Sequence, residues 1–156
     1  MKKTVFMVQA ALIAAVYATV TIALAPISYG QLQVRVSEAL TVLPFFTPAA
    51  IPGLFVGCIV ANIFGGGGPI DIIFGSLATL MAAYLSYKMP RKWLVPIPPI
   101  ILNGMVIGSV LNYLYGMPLI ISMLWVGLGE TMACYVIGYP LMNVFEKYKD
   151  RIFLVK

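Results

Sequence analysis

Long apolar stretches constrain this chain more than any other feature of its sequence. A membrane-spanning α-helix needs about 20 consecutive apolar residues. Only 10% of the 156 residues are charged and 62% are hydrophobic, whereas a soluble domain carries about 25% charged residues. We therefore expect one all-α transmembrane domain over residues 1–156, located in the cell membrane. Its apolar stretches cover residues 4–26, 39–64, 70–87, 94–115 and 118–145.

The first stretch also resembles the start of a secretory signal peptide, because Lys2 and Lys3 precede it. Its apolar run from Thr4 to Ile27 is longer than the about 7–15 residues of a signal-peptide core. We interpret it as the first membrane-spanning helix.

The block 39–64 is ambiguous because it contains Pro44, Pro48 and Pro52. If it forms one helix, the chain has five spans, and the seven basic residues after position 87 lie outside the cell with the N-terminus inside. Basic residues normally concentrate on the cytoplasmic side. Two helices, about 38–47 and 50–64, return those residues to the cytoplasm. We therefore expect six transmembrane helices with both termini cytoplasmic.

Helices two and three are short for a membrane span. We expect them to be irregular and packed inward, because proline and glycine are tolerated at membrane depth where protein covers the backbone. Residues 28–37 are then an extracellular loop that forms a flap over the helix ends. Alternating polar and apolar residues from Gln31 to Val36 give a weak strand signal within this loop.

Two polar side chains interrupt the apolar segments near mid-depth. Glu130 lies about 12 residues, or about 18 Å, from the outer end of the last helix, and Asn103 has a comparable depth in the fifth. A charge in a span costs at least about 2.5–3.5 kcal/mol, so it indicates function. An asparagine there also joins helices by hydrogen bonds, which is the alternative for Asn103. Glu130 has no evident basic partner.

Four more polar residues fall near the outer ends of helices: Arg35, Glu38, Asn62 and Asp71. Each has a structural alternative. Asp71 follows the Gly65–Gly68 run and suits a helix N-terminus electrostatically. Glu38 suits a helix cap paired with Arg35, and Asn62 suits an interhelical hydrogen bond.

Taken together, three carboxylates and one arginine give the outer half a charge of about −2, against +5 for the whole chain. This pattern predicts an acidic pocket that opens outward and attracts a cationic ligand. Carboxylates also match the adjacent donors of a heterocycle through paired hydrogen bonds. Aromatic faces for stacking are available, although packing or an interfacial belt is their commoner role: Tyr17, Tyr29, Tyr113, Tyr115 and Trp125.

Several kinds of chemistry are excluded. The chain has no histidine, and Cys58 and Cys134 lie singly in apolar runs as small buried hydrophobic side chains, so we expect no metal site. The run Gly65–Gly68 lacks the Gly-Lys-Ser/Thr ending of a phosphate-binding loop. We expect no catalytic residues and no cofactor in this chain. Basic residues at helix breaks and chain ends argue against binding of nucleic acid.

Small residues at four-residue spacing allow helices to approach closely. Gly53, Gly57 and Ala61 form such a row in the third helix, and Gly104 and Gly108 in the fifth, where we expect internal packing. The first helix carries two neighbouring rows, more than one contact requires. One row is therefore expected to face a partner protein; the rows contain Ala10 with Ala14, and Ala11 with Ala15.

Several runs resemble the QueT family across essentially the whole chain. They begin at Ala25 (APISYG), Arg35 (RVSEAL), Leu43 (LPFFTPAAIPGL), Asp71 (DIIFGSLATL) and Val126 (VGLGE). That family comprises substrate-binding S components of energy-coupling factor (ECF) transporters for a queuosine precursor. The resemblance implies the six-helix S-component fold. It also implies a transmembrane coupling protein and two ATPase subunits as partners, which use ATP and Mg²⁺.

The resemblance implies prequeuosine-1, an aminomethyl-deazaguanine, as the ligand, bound outside and released inward as the whole subunit tips in the membrane. Its ammonium suits Asp71 or Glu38, and its guanine edge suits Glu130. Ala11 with Ala15 best matches the motif by which related S components contact the coupling protein, and Ala10 with Ala14 is the alternative register. The further expected pocket residues are Arg35, Asn62, Asn103, Trp125, Tyr17 and Tyr29.

Three other functions stay open on the sequence. The same fold could serve another vitamin or nucleobase. A small intramembrane enzyme would use Glu130 as acid or base, but the chain offers no nucleophile with a suitably spaced base. An accessory membrane subunit would not depend on Glu130 for uptake.

Overall fold

A computed structural model describes residues 2–29, 34–66 and 68–153. Regular secondary structure in these ranges is helical. We number the helices in chain order: α1, Lys2–Ala23; α2, Val36–Phe45; α3, Ala50–Gly65; α4, Gly68–Tyr87; α5, Ile97–Tyr115; and α6, which runs from Leu119–Thr131 through Met132–Gly138 to Tyr139–Ile152. A short helical turn, Ala25–Ser28, follows α1, and another, Lys92–Leu94, precedes α5.

Four of the helices are long and apolar enough to cross a membrane. Their apolar portions are Lys3–Ala23, Gly68–Tyr87, Lys92–Tyr115 and Leu119–Lys149. The ambiguous block is divided into the two shorter apolar helices α2 and α3, with bounds within two residues of those predicted. An all-α membrane protein is therefore confirmed.

Helix α2 is the irregular element at the centre of the bundle. It is a 3₁₀-helix of 10 residues with Pro44 inside it, and seven of its residues are buried. It contacts α1, α3, α4 and α6. Gly138 of α6 allows this approach, because a Cβ there would lie 3.0 Å from the carbonyl oxygen of Ala39. The predicted inward packing of this short helix is observed.

Small residues join α1 to α3. A Cβ on Gly53 would lie 2.7 Å from the carbonyl oxygen of Ala10, and one on Gly57 would lie 2.9 Å from that of Ala14. The row of Ala10 and Ala14 therefore packs inside the bundle. Gly108 likewise allows α5 to approach α6 closely, since a Cβ added to it would lie 2.7 Å from Met123 Cα of α6.

The two ends of the described chain lie at the same end of the bundle. Gln9 Nε2 donates to the carbonyl oxygen of Ile152 at 3.2 Å. Near this end, Lys92, in the turn that precedes α5, bonds to Glu146 of α6. This arrangement agrees with termini that share one side of the membrane.

The predicted flap over residues 28–37 is wrong for the part that the structure describes. Arg35 and Ser37 are buried, and Val36 already begins α2 rather than a strand. The chain enters the bundle here because Arg35 and Ser37 find hydrogen-bond partners on α3 and α1. Residues 30–33, with half of the weak strand signal, lie outside the described ranges.

The close approach of α1 and α3 predicts that one methyl group added between them lowers stability. Gly53→Ala should lower the free energy of unfolding by about 1–3 kcal/mol, since the added carbon meets backbone that must shift. Thermal unfolding in detergent would measure it. The matched control is Gly127→Ala, where a Cβ would meet nothing within 4 Å. Equal stability of the two variants would contradict the packing.

Candidate functional site

A cluster of polar side chains fills the interior where the helices meet. Its members have exposed fractions of only 0–7%. Each main helix supplies at least one of them, so the cluster depends on the whole fold. We call it the polar cluster: Tyr17 from α1, Arg35 and Glu38 at α2, Asn62 from α3, Asp71 from α4, Asn103 from α5 and Glu130 from α6.

Asn62 connects Arg35 to helix α4 within the polar cluster. Arg35 Nη2 donates to Asn62 Oδ1 at 3.1 Å. The Tyr29 hydroxyl lies 3.2 Å from the same oxygen and 2.8 Å from the carbonyl oxygen of Ala61, to which its one hydrogen is donated. Asn62 Nδ2 donates to the carbonyl oxygen of Asp71 at 2.8 Å. The Arg35 guanidinium also lies 5.0 Å from the centre of the Tyr29 ring. Tyr29 and Arg35 are thereby held against α3, and Asn62 connects α3 to α4.

Glu38 bonds to α1 rather than to the arginine. The Tyr17 hydroxyl donates to Glu38 Oε1. Nearby, Thr21 Oγ1 lies 2.6 Å from Ser37 Oγ and strengthens the same contact. The predicted pair of Glu38 with Arg35 is wrong, because in the described part of the chain the ion pair within 4 Å is that of Lys92 with Glu146.

Glu130 is held by α5 and by its own helix. Asn103 Nδ2 donates to Glu130 Oε1 at 3.1 Å. Cys134 Sγ lies 3.8 Å from Glu130 Oε2 and 3.5 Å from the carbonyl oxygen of Glu38. Glu38 and Glu130 therefore share one environment at one depth. Sequence placed Glu38 nearer the outer end, but α2 starts inside the bundle.

Both cysteines belong to this site, although the sequence suggested small apolar packing. Cys58 Sγ receives contacts from Arg35 Nη1 at 3.8 Å, Asn62 Nδ2 at 3.5 Å and Thr79 Oγ1 at 3.5 Å. The signal was present, because Cys58 precedes Asn62 by four residues and Cys134 follows Glu130 by four. Residues four apart share a helix face.

Two π-helical turns adjoin the cluster's carboxylates. One, Asp71–Gly75, begins at Asp71, and the other, Met132–Gly138, begins two residues after Glu130 and contains Cys134. Such turns are rare and occur frequently at functional sites. The positions of both turns therefore support a functional role for Asp71 and Glu130.

Three buried charged groups of the polar cluster have an atom without a hydrogen-bond partner in the described chain. These atoms are Arg35 Nε, Glu38 Oε2 and Asp71 Oδ1. An unpaired buried polar atom costs about 1–3 kcal/mol, and more when it is charged. One donor and two acceptors are thus available to a ligand that carries complementary groups.

The cluster is closed, so the predicted pocket does not open outward in this structure. A ligand reaches these side chains only when helices or side chains move. An open groove of about 680 Å³ lies elsewhere and is apolar, with Phe74, Met105 and Tyr113 in its lining.

Trp125 lies apart from the polar cluster and is 45% exposed, because it sits on the outer face of α6. Tyr113 and Tyr115 are also exposed. These three aromatics contact the surroundings of the bundle, whereas Tyr17 and Tyr29 contact the site. Across the described ranges, no group of three or more His, Cys, Asp or Glu side chains has the geometry to hold a metal ion.

On α1, the two alanine rows have different surroundings. Ala10 and Ala14 face α3, whereas Ala11 and Ala15 are exposed. The exposed row is flanked by the exposed side chains of Leu12 and Val16. A partner helix can therefore reach Ala11 and Ala15 without displacing α3.

Comparison with known proteins gives one family. The model of the QueT transporter family matches residues 7–147. A protein of Lactococcus lactis subsp. cremoris (strain MG1363) described as "Queuosine precursor transporter QueT" is 40% identical over 81 residues. That alignment covers 51% of this chain, and this chain spans about half the length of that relative, 47%. No solved structure matches.

The central position of Asn62 predicts a loss of stability on its removal. Asn62→Ala leaves Arg35 Nη2 and the Asp71 carbonyl each short of a partner. The free energy of unfolding should fall by about 1–3 kcal/mol or more. Denaturation in detergent would measure it, with Asn143→Ala, at an exposed site of α6, expected to change it by about 0.5 kcal/mol or less. A similar small change in both variants would contradict the role of Asn62.

Proposed function

The chain belongs to the QueT transporter family, and on that premise we propose that it is the S component of an ECF importer for a queuosine precursor. It is a multi-pass protein of the cell membrane, and a transporter family implies no catalytic role. The proposed ligand is prequeuosine-1, taken up from outside the cell. The polar cluster is its proposed binding site.

The observation that carries this proposal is the set of unpaired charged atoms in the polar cluster. Arg35 Nε, Glu38 Oε2 and Asp71 Oδ1 are buried together without partners in the described chain. Buried charges are ordinarily paired. A purely structural cluster would satisfy them internally, whereas a binding site leaves them for the ligand.

The chemistry of an aminomethyl-deazaguanine complements these groups. Its ammonium is a cation with three donors, which suits Glu38 Oε2 or Asp71 Oδ1. Its ring carbonyl is an acceptor, which suits Arg35 Nε. Its guanine edge presents two adjacent N–H donors, which a carboxylate accepts in pairs.

We assign the guanine edge to Glu130. Asn103 donates to one carboxylate oxygen of Glu130 and fixes its orientation. Each carboxylate oxygen accepts more than one hydrogen bond, so Glu130 still has capacity for two ligand donors. Tyr17 positions Glu38 in the same way, Asn62 positions Arg35, and half-buried Tyr29 lies at the edge of the site.

Transport in this proposal requires the cluster to open. Helix α2 is short, 3₁₀-helical and contains Pro44, and we assign the opening movement to it. In the proposed cycle six helices cross the membrane with both termini in the cytoplasm. Ligand enters from outside, and the subunit then tips in the membrane to release it inward.

Energy comes from partner subunits in this proposal. The chain carries no phosphate-binding loop, so two ATPase subunits supply ATP hydrolysis with Mg²⁺. A transmembrane coupling protein connects them to this chain. We propose that it docks on the exposed row of Ala11 and Ala15, since Ala10 and Ala14 are occupied by α3.

Ligand binding should depend on Glu130. Glu130→Gln removes a charged acceptor that the guanine edge requires, so affinity for prequeuosine-1 should fall about ten- to a hundredfold. Calorimetry with the purified protein would measure it. The control is Glu146→Gln, which removes a half-exposed ion pair with Lys92 and should leave affinity unchanged. Unchanged affinity in both variants would move the guanine edge away from Glu130, and absence of binding by the natural chain would favour an accessory role.

Partner assembly should depend on Ala15. Ala15→Leu adds bulk to the exposed row and should prevent close helix contact. Co-purification with the coupling protein should fall at least about tenfold, while prequeuosine-1 affinity of the isolated chain stays unchanged. Met132→Leu, at an exposed site of α6, is the control and should assemble normally. Normal assembly of both variants would place the docking surface elsewhere.

A further inference from the structure

The charges in the polar cluster do not balance. It buries three carboxyl groups, Glu38, Asp71 and Glu130, with the single cation Arg35. The chain contains no histidine. The other basic side chains whose surroundings the structure describes are exposed or half-buried and make no bond to the cluster: Lys3, Lys88, Arg91, Lys92, Lys147 and Lys149.

Full ionisation would therefore leave a buried charge of −2. Burying even one uncompensated ion costs several kcal/mol, and such groups take up a proton instead. At least one of the three carboxyl groups should hold a proton when the cluster contains no ligand.

Hydrogen-bond geometry places that proton on Glu130. Cys134 Sγ lies 3.8 Å from Glu130 Oε2 and 3.5 Å from the carbonyl oxygen of Glu38. With the one thiol hydrogen donated to that carbonyl, Sγ is left as the acceptor for a proton on Oε2. Asn103 continues to donate to Oε1. Every hydrogen in this chain of contacts has an acceptor. In contrast, Glu38 already accepts from the Tyr17 hydroxyl at Oε1, and its Oε2 makes no hydrogen bond within the described residues.

The distribution of charge around Glu130 favours its neutral form, although Asn103 donates to its carboxyl group. Glu38 repels a second negative charge, and Tyr17 already donates to Glu38 rather than to Glu130. The one cation of the cluster, Arg35, bonds to α3, on the side of Asn62 and Cys58. The titratable and charged groups that act on Glu130 are Glu38 and Arg35 at α2 and Cys134 on α6.

We propose that Glu130 is protonated in the ligand-free protein and that a cationic ligand displaces this proton. The proposal rests on the function proposed above. On binding, the O–H bond of Glu130 breaks, its electron pair stays on Oε2, and the proton passes to water. Both carboxylate oxygens then accept N–H groups of the guanine edge. The ammonium of the ligand replaces the lost positive charge, so the buried charge is −1 before and after binding.

This exchange makes the site selective for charge. A neutral analogue such as the 7-cyano-deazaguanine brings no cation to replace the proton. If the neutral analogue bound to an ionised Glu130, the buried net charge of the polar cluster would be −2. At equal pH we expect the neutral analogue to bind at least about tenfold more weakly than the aminomethyl compound.

Calorimetry tests the exchange directly. Purified protein is titrated with the aminomethyl-deazaguanine in two buffers of different ionisation enthalpy, at about pH 6 and at about pH 8. Release of one proton predicts a binding heat that depends on the buffer. It also predicts affinity that rises about tenfold per pH unit while Glu130 is protonated in the free protein. Glu130→Gln should bind weakly, with buffer-independent heat, and Glu146→Gln should behave as the natural chain.

The outcomes separate the two proposals. Tight binding with the same heat in both buffers and no dependence on pH would overturn the proton exchange and leave the transporter function intact. Absence of any binding of the aminomethyl compound would overturn the proposed ligand, and the exchange with it. If Glu130→Gln does not fold, the buffer comparison on the natural chain still decides.

Discussion

Charged side chains in a bilayer must be compensated within the protein, and the structure of this chain is organised around four of them. Arg35, Glu38, Asp71 and Glu130 are all buried. An uncompensated ion would cost more than several ordinary packing contacts supply. The helices therefore converge where amide, hydroxyl and thiol groups can share the charges. The same convergence leaves a charged donor and two acceptors unpaired, which is the physical basis of the proposed ligand site.

Helix α2 makes this convergence possible. A 3₁₀-helix rises about 2.0 Å per residue, so ten residues cover about 20 Å. The chain can then enter the bundle at the depth of Glu130, and α2 still extends towards the end of the bundle where the two ends of the described chain lie. Close approach of the other helices to α2 and to each other depends on small residues, as at Gly138 and Gly53. One consequence is that a single alanine row of α1 is free for a partner.

Sequence alone predicted most of the architecture, because apolar length and charge placement report directly on membrane crossing. It gave the bounds of α2 and α3 within two residues and identified seven of the buried polar residues, from Tyr17 to Glu130. It placed Arg35 and Ser37 in an outer flap and Glu38 too near the surface, since depth depends on where α2 enters the bundle. Trp125 was assigned to the site because residue type does not reveal which helix face is outward.

The partners inside the cluster were the least predictable feature. The sequence indicated only small apolar side chains at Cys58 and Cys134. The structure shows that their thiols contact Arg35, Asn62 and Glu130. Pairing of Glu38 with Tyr17 rather than with nearby Arg35 likewise depends on the packing of α1 against α2. Which side chains pair inside the cluster is determined by tertiary contacts between segments that are distant in the sequence.

The most direct measurement is uptake in cells that cannot make queuosine precursors. The chain is expressed with and without an ECF coupling protein and its ATPases, and queuosine in tRNA is measured after prequeuosine-1 is supplied. We predict that queuosine returns only when the chain and the complete ATP-driven module are both present. Recovery with this chain alone, without any ATPase partner, would contradict the proposed transporter type.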